Sequence, residues 1–427
     1  MPFSLLGLSP ALAKAASELG FSAPTAIQTE AIPLVLAGKD ILATAQTGSG
    51  KTAAFALPLV HNVILSIQKS NAHSPRRTRA LILVPTRELA AQVGEVLRRI
   101  AQALPQSLKV AVVFGGVSIN PQMMHLRGGA DVVVATPGRL LDLVRVNALK
   151  LSTIETLVLD EADRLLDMGF AQELTQLLAL LPVKRHNVFF SATFPDDVQQ
   201  LAHQLLLDPV RIQVQAPAHS EAAISQRVIA VDAKQRTQLL RHLIKENAWD
   251  RVLVFVATQY GAEMVAEKLY RAGIYASRLH GSMTQGARTQ VLQEFKNGQW
   301  EVLVTTDLAS RGIDIAHMRI VVNYDLPRSA VDYVHRIGRT GRAGESGEAL
   351  SFVSAETEAH FQLIEKRQGL CLPREQLAGF EPHDIAVSIN TSASIEKTPP
   401  DTGGIKGKRP SKKDKLRAAA LTAKPIG

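Results

Sequence analysis

Residues 41–60 read ILATAQTGSGKTAAFALPLV, and the local structure that this sequence favours changes twice within twenty positions. ILATA favours a buried strand, and AAFALPLV favours a helix. Between them lies AQTGSGKT, a glycine-rich loop of the kind that cradles phosphate groups between a strand and a helix N-terminus. Strand, loop and helix in this order are typical of an α/β fold with a phosphate site at the edge of a parallel sheet.

The chemistry of the loop follows from its residue types. Glycines at 48 and 50 let backbone N–H groups approach phosphate oxygens where a Cβ would clash. The Lys51 ammonium suits the β and γ phosphates, and the Thr52 hydroxyl can ligate Mg²⁺. The predicted phosphate loop comprises Ala45, Gln46, Thr47, Gly48, Ser49, Gly50, Lys51 and Thr52.

A second segment about a hundred residues later completes this site. VLDEAD at residues 158–163 ends an apolar run that favours a strand and places Asp160 at its carboxyl end. A carboxylate at that position holds the metal of a nucleoside triphosphate. Either segment alone could be an ordinary loop or a solvated helix start. Together they predict a site for ATP and Mg²⁺.

Short aliphatic runs alternate with helix-compatible sequence along most of the chain. This alternation indicates parallel sheets covered on both faces. It pauses at residues 215–225, QAPAHSEAAIS, and then restarts, which predicts two α/β domains of similar design. The predicted strands after the first are ALILV at 80, VAVVF at 110, DVVVA at 131, TLVLD at 156 and NVFFS at 187, then RVLVFV at 251, YASRLH at 275, EVLVTTD at 301 and RIVVNYD at 319.

The charge of the chain is concentrated at its C-terminal end. Of a formal net charge of +9 over 427 residues, residues 391–427 carry +6, from nine basic and three acidic residues. This segment has little hydrophobic periodicity, so we expect a disordered basic tail that binds polyanions or only aids solubility. The single cysteine, Cys371, excludes an intramolecular disulfide. With no apolar run of membrane-spanning length, we expect a cytoplasmic protein without membrane contact.

The second predicted domain has no phosphate loop of its own. It contains HRIGRTGR at residues 335–342, in which Arg336, Arg339 and Arg342 are three residues apart and so fall on one side of a helical turn. Arginine stays protonated and bridges phosphate oxygens bidentately. We therefore expect these cations to act on the γ phosphate bound by the first domain.

With these residues assembled, the chain resembles the DEAD-box RNA helicases of superfamily 2 over roughly residues 1–355. The bacterial RhlE-like subgroup is the nearest resemblance, from FGGVSINPQMM at 114 and LRGGADVVVATPGRLLDL at 126. The matching motifs, in family order, are GFSAPTAIQ at 20, AQTGSGKT at 45, PTRELA at 85, GG at 115, TPGR at 136, DEAD at 160, SAT at 191, VFV at 254, QGAR at 285, TTDLASRGID at 305 and HRIGRTGR at 335.

The resemblance implies two tandem RecA-like parallel-sheet domains, an α/β fold. Residues 1–214 would form the ATP-binding domain, 215–225 the linker, 226–385 the second helicase domain and 386–427 the disordered basic tail. The activity implied is that of an RNA-stimulated ATPase in which ATP and RNA jointly close the two domains. Closure would bend one strand and locally unwind a short RNA duplex or remodel an RNA–protein complex.

The resemblance also implies roles for individual residues. Gln28 would read adenine with Phe21 packing nearby, and Asp314 would contact the ribose. Asp160 would hold Mg²⁺ through water together with Thr52, and Glu161 would act on the attacking water. The catalytic set is Lys51, Asp160, Glu161, Arg339 and Arg342; the set coupling hydrolysis to RNA is Asp163, Ser191, Thr193 and His335; the RNA-contacting set is Arg87, Gly116, Thr136, Arg139, Gly281, Arg288 and Thr305.

RNA is the expected partner, held by its backbone with little sequence preference. Only 5% of residues are aromatic, and no aromatic ladder lies near the motifs. Ribosomal precursors and the RNA-decay machinery are candidate partners in the cell. Two other functions stay open from the sequence: a nucleic-acid-binding scaffold whose ATPase is vestigial, and a superfamily 2 helicase directed at DNA.

Overall fold

A computed structural model describes residues 2–45, 49–70, 75–214, 224–310, 318–341 and 346–383. Some predicted features lie outside these ranges. They are the basic tail 386–427, residues 215–223 of the linker, and the site residues Gln46, Thr47, Gly48, Asp314 and Arg342.

The first lobe, residues 2–214, is built on a seven-stranded parallel sheet. Its strand order is β3-β4-β2-β5-β6-β1-β7. The strands are β1 (Ile41–Thr44), β2 (Ala80–Leu83), β3 (Val110–Val113), β4 (Val132–Ala135), β5 (Thr156–Leu159), β6 (His186–Ser191) and β7 (Val210–Gln213).

Among the described residues of this lobe, nine helices accompany the sheet. A 3₁₀ turn, Phe3–Leu6, precedes them. They are α1 (Pro10–Glu18), α2 (Ala26–Leu36), α3 (Lys51–Lys69), α4 (Arg87–Gln102), α5 (Ile119–Leu126), α6 (Pro137–Arg145), α7 (Ala162–Asp167), α8 (Ala171–Leu180) and α9 (Asp196–Leu205).

The second lobe, residues 224–383, repeats this design. Its parallel sheet has the order β10-β11-β9-β12-β13-β8-β14. The strands are β8 (Ile224–Ala230), β9 (Val252–Phe255), β10 (Ala276–Leu279), β11 (Val302–Thr305), β12 (Ile320–Asn323), β13 (Gly347–Val353) and β14 (Arg374–Glu375). The helices are α10 (Arg236–Glu246), α11 (Gln259–Arg271), α12 (Gln285–Lys296), α13 (Asp307–Ser310), α14 (Ala330–Ile337) and α15 (Glu358–Gln368).

The central strands are buried on both faces. In β2, Ile82 belongs to one hydrophobic cluster of the first lobe, whereas Leu81 and Leu83 belong to another. Successive side chains of a strand point to opposite faces, so helices must cover both sides of the sheet. This explains the continuous aliphatic runs of the sequence and confirms the predicted fold class.

Connections place three motif-bearing strands side by side. The chain leaves β1 and continues into β2, with β5 and β6 between them in the sheet. Because parallel strands end at the same edge, the residues that follow β1, β5 and β6 converge there. They are the phosphate loop after β1, the DEAD segment after β5, and Ser191 at the end of β6.

The boundaries of the second lobe differ in detail from those predicted. Strand β8 begins at Ile224, so the last two residues of the predicted linker belong to the sheet. At the other end, β14 pairs with β8, and the Phe380 ring lies 5.3 Å from that of His242. No helix among the described residues is both long and apolar enough to cross a bilayer.

Candidate active site

The phosphate loop leaves β1 and ends at the start of α3. Ala45 is buried, and its N–H donates to the Ser191 carbonyl across 3.1 Å. Gly50 caps α3 with a φ of 92°, a left-handed conformation that favours glycine. A Cβ at this position would also clash with the side-chain amide of Gln28. Gly50 is therefore required both by its backbone conformation and by the close approach of α2.

Two side chains of the α2 N-terminus hold this loop. The Gln28 amide donates to the Gly50 carbonyl across 3.0 Å and accepts from the Thr25 N–H at 3.0 Å. The Thr25 hydroxyl donates to the Ser49 carbonyl at 2.8 Å. Gln28 is thus attached to the phosphate loop, and its contact with adenine stays a prediction. Thr25 was missed by the sequence analysis, although Thr-x-x-Gln is the spacing of a capping box.

Lys51 and Asp160 form the buried centre of the site. The Lys51 side chain is 6% exposed, and its Nζ has no hydrogen-bond partner among the described residues. Asp160 is 2% exposed, and burial raises the pKa of its carboxyl to about 6, a shift that the Lys51 charge opposes. A buried ammonium without a partner has strong affinity for an anion. The pair therefore fits a triphosphate with its metal.

Glu161 follows Asp160 in a left-handed backbone conformation, with a φ of 52°. This conformation is uncommon for a residue with a Cβ, and such outliers concentrate at functional sites. The Arg164 guanidinium donates to Glu161 Oε2 across 3.1 Å, and both side chains are buried. The carboxylate is therefore held in a fixed orientation beside Asp160.

The predicted coupling residues of the first lobe form one hydrogen-bonded cluster. Asp163 Oδ2 accepts from both the backbone N–H and the hydroxyl of Thr193, at 2.9 and 2.8 Å. The Asp163 N–H donates to the Ser191 hydroxyl at 3.2 Å, and that hydroxyl donates to the Thr193 carbonyl at 2.7 Å. A displacement of the DEAD segment therefore moves the β6–α9 connection with it.

His335, from α14 of the second lobe, approaches this cluster. Burial, and after it the charge of Arg164, lower the pKa of its imidazole to about 4, against the opposing charges of Asp163 and Glu161. His335 and Arg164 line one small cavity, so the ring lies beside the DEAD segment. Its role in coupling stays a prediction.

The arginines of the HRIGRTGR segment do not share one role. Arg336 is 2% exposed, forms two hydrogen bonds with the Asp307 carboxylate and lies over the Phe255 ring at 4.9 Å. The expectation that Arg336 faces phosphate is therefore wrong in this structure, because its charge is neutralised within the second lobe. Helix α14 ends at Ile337, and Arg339 follows it close enough for its charge to affect His335. Arg342 lies outside the described residues.

The predicted RNA contacts of the first lobe cluster at the same sheet edge. The Arg87 guanidinium lies against Gly116, where any Cβ would clash. The Arg139 guanidinium donates to the Val117 carbonyl at 2.7 Å, and the Thr136 hydroxyl accepts from the Gly115 N–H at 3.4 Å. The structure brings these residues together around the glycine pair, and their contact with RNA stays a prediction.

The predicted contacts of the second lobe are mostly buried. Gly281 is exposed, but Thr305 is 0% exposed and its hydroxyl donates to the Thr306 carbonyl. Arg288 is 5% exposed, donates from Nε to Glu88 of the first lobe at 2.8 Å, and forms an ion pair with it in which Nη2 lies 2.7 Å from the same oxygen. Thr305 therefore faces no solvent in this structure, and Arg288 binds a carboxylate from the other lobe. Glu88 was missed by the sequence analysis, although it lies in PTRELA next to Arg87.

Removing either partner of the Glu88–Arg288 pair is expected to lower RNA-stimulated ATPase on the order of 10²-fold. Breaking a buried ion pair costs about 3–5 kcal/mol, and here the pair joins residues of both lobes. The measurement is a double-mutant cycle of Glu88→Arg and Arg288→Glu, with Glu95→Gln as an exposed control on the same helix. The exchanged pair should regain activity. If Arg288 acts only on RNA phosphate, the exchange gives no recovery.

Comparison with known proteins agrees with this arrangement. A family described as DEAD/DEAH box helicase matches residues 25–201, and one described as helicase conserved C-terminal domain matches residues 235–344. The ATP-dependent RNA helicase CshA of Listeria monocytogenes is 40% identical over 364 residues, 85% of this chain and 68% of the relative. DeaD of Klebsiella pneumoniae is 38% identical over 89% of this chain, which spans only 58% of that relative.

A solved structure shares the fold of both lobes. S. cerevisiae Dbp5 bound to RNA and ADP BeF₃ matches with a TM-score of 0.76 and 32% identity, covering 88% of this chain and 95% of Dbp5. The named relatives are CshA and DeaD, so the RhlE-like subgroup stays a prediction. The two family matches, the relatives and the converged motifs lead to one assignment: the chain belongs to the DEAD-box helicases.

Proposed function

We propose that this protein is an ATP-dependent RNA helicase, in which RNA-stimulated ATP hydrolysis closes and reopens the two lobes and locally separates short duplexes. The observation that carries the proposal is the buried Lys51 ammonium, which has no hydrogen-bond partner among the described residues, beside the buried Asp160. A scaffold with a vestigial ATPase has no need to keep this costly arrangement. The CshA and DeaD relatives, named as ATP-dependent RNA helicases, support the same activity.

The residues of the first lobe suit phosphoryl transfer to water. Lys51 would bind the β and γ phosphates, and Glu161, oriented by Arg164, would accept the proton of the attacking water. Thr52 and Asp160 would hold Mg²⁺, which when bound neutralises charge on the phosphate oxygens. Arg339 and Arg342 would supply cations from the second lobe, a contribution of about 10³–10⁵ in rate for an arginine finger.

We infer that RNA is held through its backbone. Arg87, Thr136 and Arg139 surround the Gly115–Gly116 pair at the sheet edge, and none of the three is aromatic. Backbone contacts position a nucleic acid without reading its sequence. Ribosomal precursors and the RNA-decay machinery stay predicted partners, since no feature of this edge selects between them.

Thr193→Ala is expected to reduce RNA stimulation of ATPase about 2- to 30-fold while ATP affinity changes little. The substitution removes the hydroxyl that donates to Asp163 at 2.8 Å, and residues that couple two sites contribute about 0.5–2 kcal/mol. The measurement compares ATPase with and without RNA. Thr193→Ser retains the hydroxyl and serves as the matched control. An equal loss of basal and stimulated rates would contradict a coupling role.

The proposed function is tested by steady-state ATPase of the full chain alone, with single-stranded RNA and with DNA of the same sequence. Stimulation by RNA alone, followed by ATP-dependent separation of a short RNA duplex, is the expected result. Equal stimulation by DNA would favour a DNA-directed helicase. No stimulation by either would favour the scaffold alternative.

A further inference from the structure

The edge of the first sheet opposite the active site carries a basic groove. Its volume is about 590 Å³, and the loops before β1, β2, β5 and β6 form it. Lys39 lies at its rim, next to Gly38. The residues lining the basic groove are Gly38, Arg77, Ser152, Thr153, Ile154, Glu155, Pro182, Lys184, Arg185 and His186.

Three cations lie at the basic groove, and two of them, Lys39 and Lys184, have no carboxylate partner among the described residues. Lys39 and Lys184 are exposed and make no ion pair with the described residues. Arg185 is partly buried, and its Nε donates to the Asn187 side chain at 2.9 Å and its Nη1 to the Pro182 carbonyl at 2.8 Å. Burial lowers the pKa of this guanidinium, and the charge of Asp40 opposes that shift. The uncompensated positive charge of the groove is therefore that of Lys39 and Lys184.

The nearby carboxylates are already engaged. Asp40 is 9% exposed and accepts from the Asn187 backbone at 2.7 Å, from its side chain at 3.0 Å and from the Leu207 N–H at 3.0 Å. Glu155 accepts from the Ser66 hydroxyl at 2.9 Å and pairs with Arg77 at 3.6 Å. Neither carboxylate pairs with Lys39 or Lys184, whereas the charge of Asp40 acts on Arg185.

The two loops that carry these cations are fixed against each other. The His186 Nε2 lies 2.7 Å from the Lys39 carbonyl, and β1 pairs with β6 in the register Ile41 with Val188. Neighbouring strands are about 4.8 Å apart, so the loops before β1 and β6, which carry Lys39 and Lys184, lie side by side at this edge. Such a fixed row of cations suits a polyanion with closely spaced charges.

We propose that the basic groove is a second RNA-binding surface that contacts backbone phosphates. This inference rests on the proposed function. The centre of a protein–protein interface is enriched in aromatic residues and depleted of lysine. The lining of the groove contains no tyrosine, tryptophan or phenylalanine, and its larger apolar residues are Ile154 and Pro182. This composition favours a nucleic acid over a protein. The groove and the phosphate loop lie at opposite ends of β1, whose length is about 13 Å. An RNA must therefore extend beyond the active-site edge to reach it.

The test uses the full chain and the paired variant Lys39→Gln with Lys184→Gln. Affinity for a labelled single-stranded RNA of about 40 nucleotides is measured by fluorescence anisotropy at about 50 to 200 mM salt. Two lost phosphate contacts lower the log–log salt slope by about 1.4, so the affinity ratio between the two salt concentrations falls about sevenfold.

The matched control is Lys234→Gln with Lys268→Gln, which removes the same charge from exposed positions of the second lobe. Thermal melting checks that both variants fold. If the groove variant and the control have the same slope while wild-type ATPase is stimulated by RNA, this inference fails and the proposed function stands. Absence of RNA stimulation in the wild type overturns both. An unchanged RNA slope together with lost binding of poly-L-glutamate would assign the groove to an acidic protein instead.

Discussion

Lys51→Ala is expected to lower the turnover number for ATP by about 10²–10³-fold, the cost of removing one preorganised charge donor from an active site. The Lys51 ammonium is buried, and no described residue bonds to it, so the fold holds its charge ready for a phosphate group. Steady-state ATPase at saturating RNA measures the effect. Affinity for ATP should fall as well, because this ammonium is proposed to contact the ground-state nucleotide.

The control for this prediction lies on the same helix. Lys69 is exposed at the last turn of α3, so Lys69→Ala removes an identical side chain far from the loop and should leave turnover unchanged. Thermal melting of both variants separates loss of chemistry from loss of fold. Near-normal turnover in the Lys51 variant would overturn the site.

Glu161→Gln is expected to slow hydrolysis by about 10²–10⁴-fold while ATP and RNA still bind. Glutamine cannot accept a proton from water, yet its carbonyl oxygen can still accept the hydrogen bond from Arg164 that orients this side chain. Single-turnover hydrolysis measures the chemical step, and titration with a fluorescent ATP analogue measures binding. The variant should therefore accumulate as a complex with both ligands.

Glu173→Gln, on the surface helix α8, is the isosteric control for this substitution and should hydrolyse ATP at the normal rate. If Glu161 acts on the attacking water, the Glu161→Gln variant should change only in its rate constant of hydrolysis. Loss of ATP binding in the Glu161 variant would instead assign the carboxylate to nucleotide or metal binding.

The strands with aliphatic runs could be predicted, including the edge strands β3 and β10, whereas β7, β8, β13 and β14 could not. The central strands β2, β4, β5, β9, β11 and β12 are buried at every residue, so their sequences read as unbroken aliphatic runs. Strand β7 lies at an edge, with one of its four residues buried, and β8 is only partly buried. The sequences of these two strands are VRIQ and ISQRVIA. Because the strands are partly exposed, they can carry polar residues, and they therefore lack the aliphatic run that predicts a buried strand.

The phosphate loop and the DEAD segment could be predicted because each is a short local motif. Contacts between distant residues could not. Arg336 has the same local sequence context as Arg339, and only the folded structure shows that Asp307 neutralises it. The Glu88–Arg288 pair joins residues two hundred positions apart, and one sequence contains no signal for such a pairing.

The buried Lys51 ammonium has a consequence for the lifetime of the protein. This charge has no hydrogen-bond partner in the part of the chain that the structure describes, which destabilises the nucleotide-free first lobe, and a bound triphosphate would relieve that cost. A ligand at a hundred times its dissociation constant stabilises the folded state by about 2.7 kcal/mol. Because proteases in the cell attack the unfolded fraction, degradation of this protein should accelerate whenever ATP is depleted.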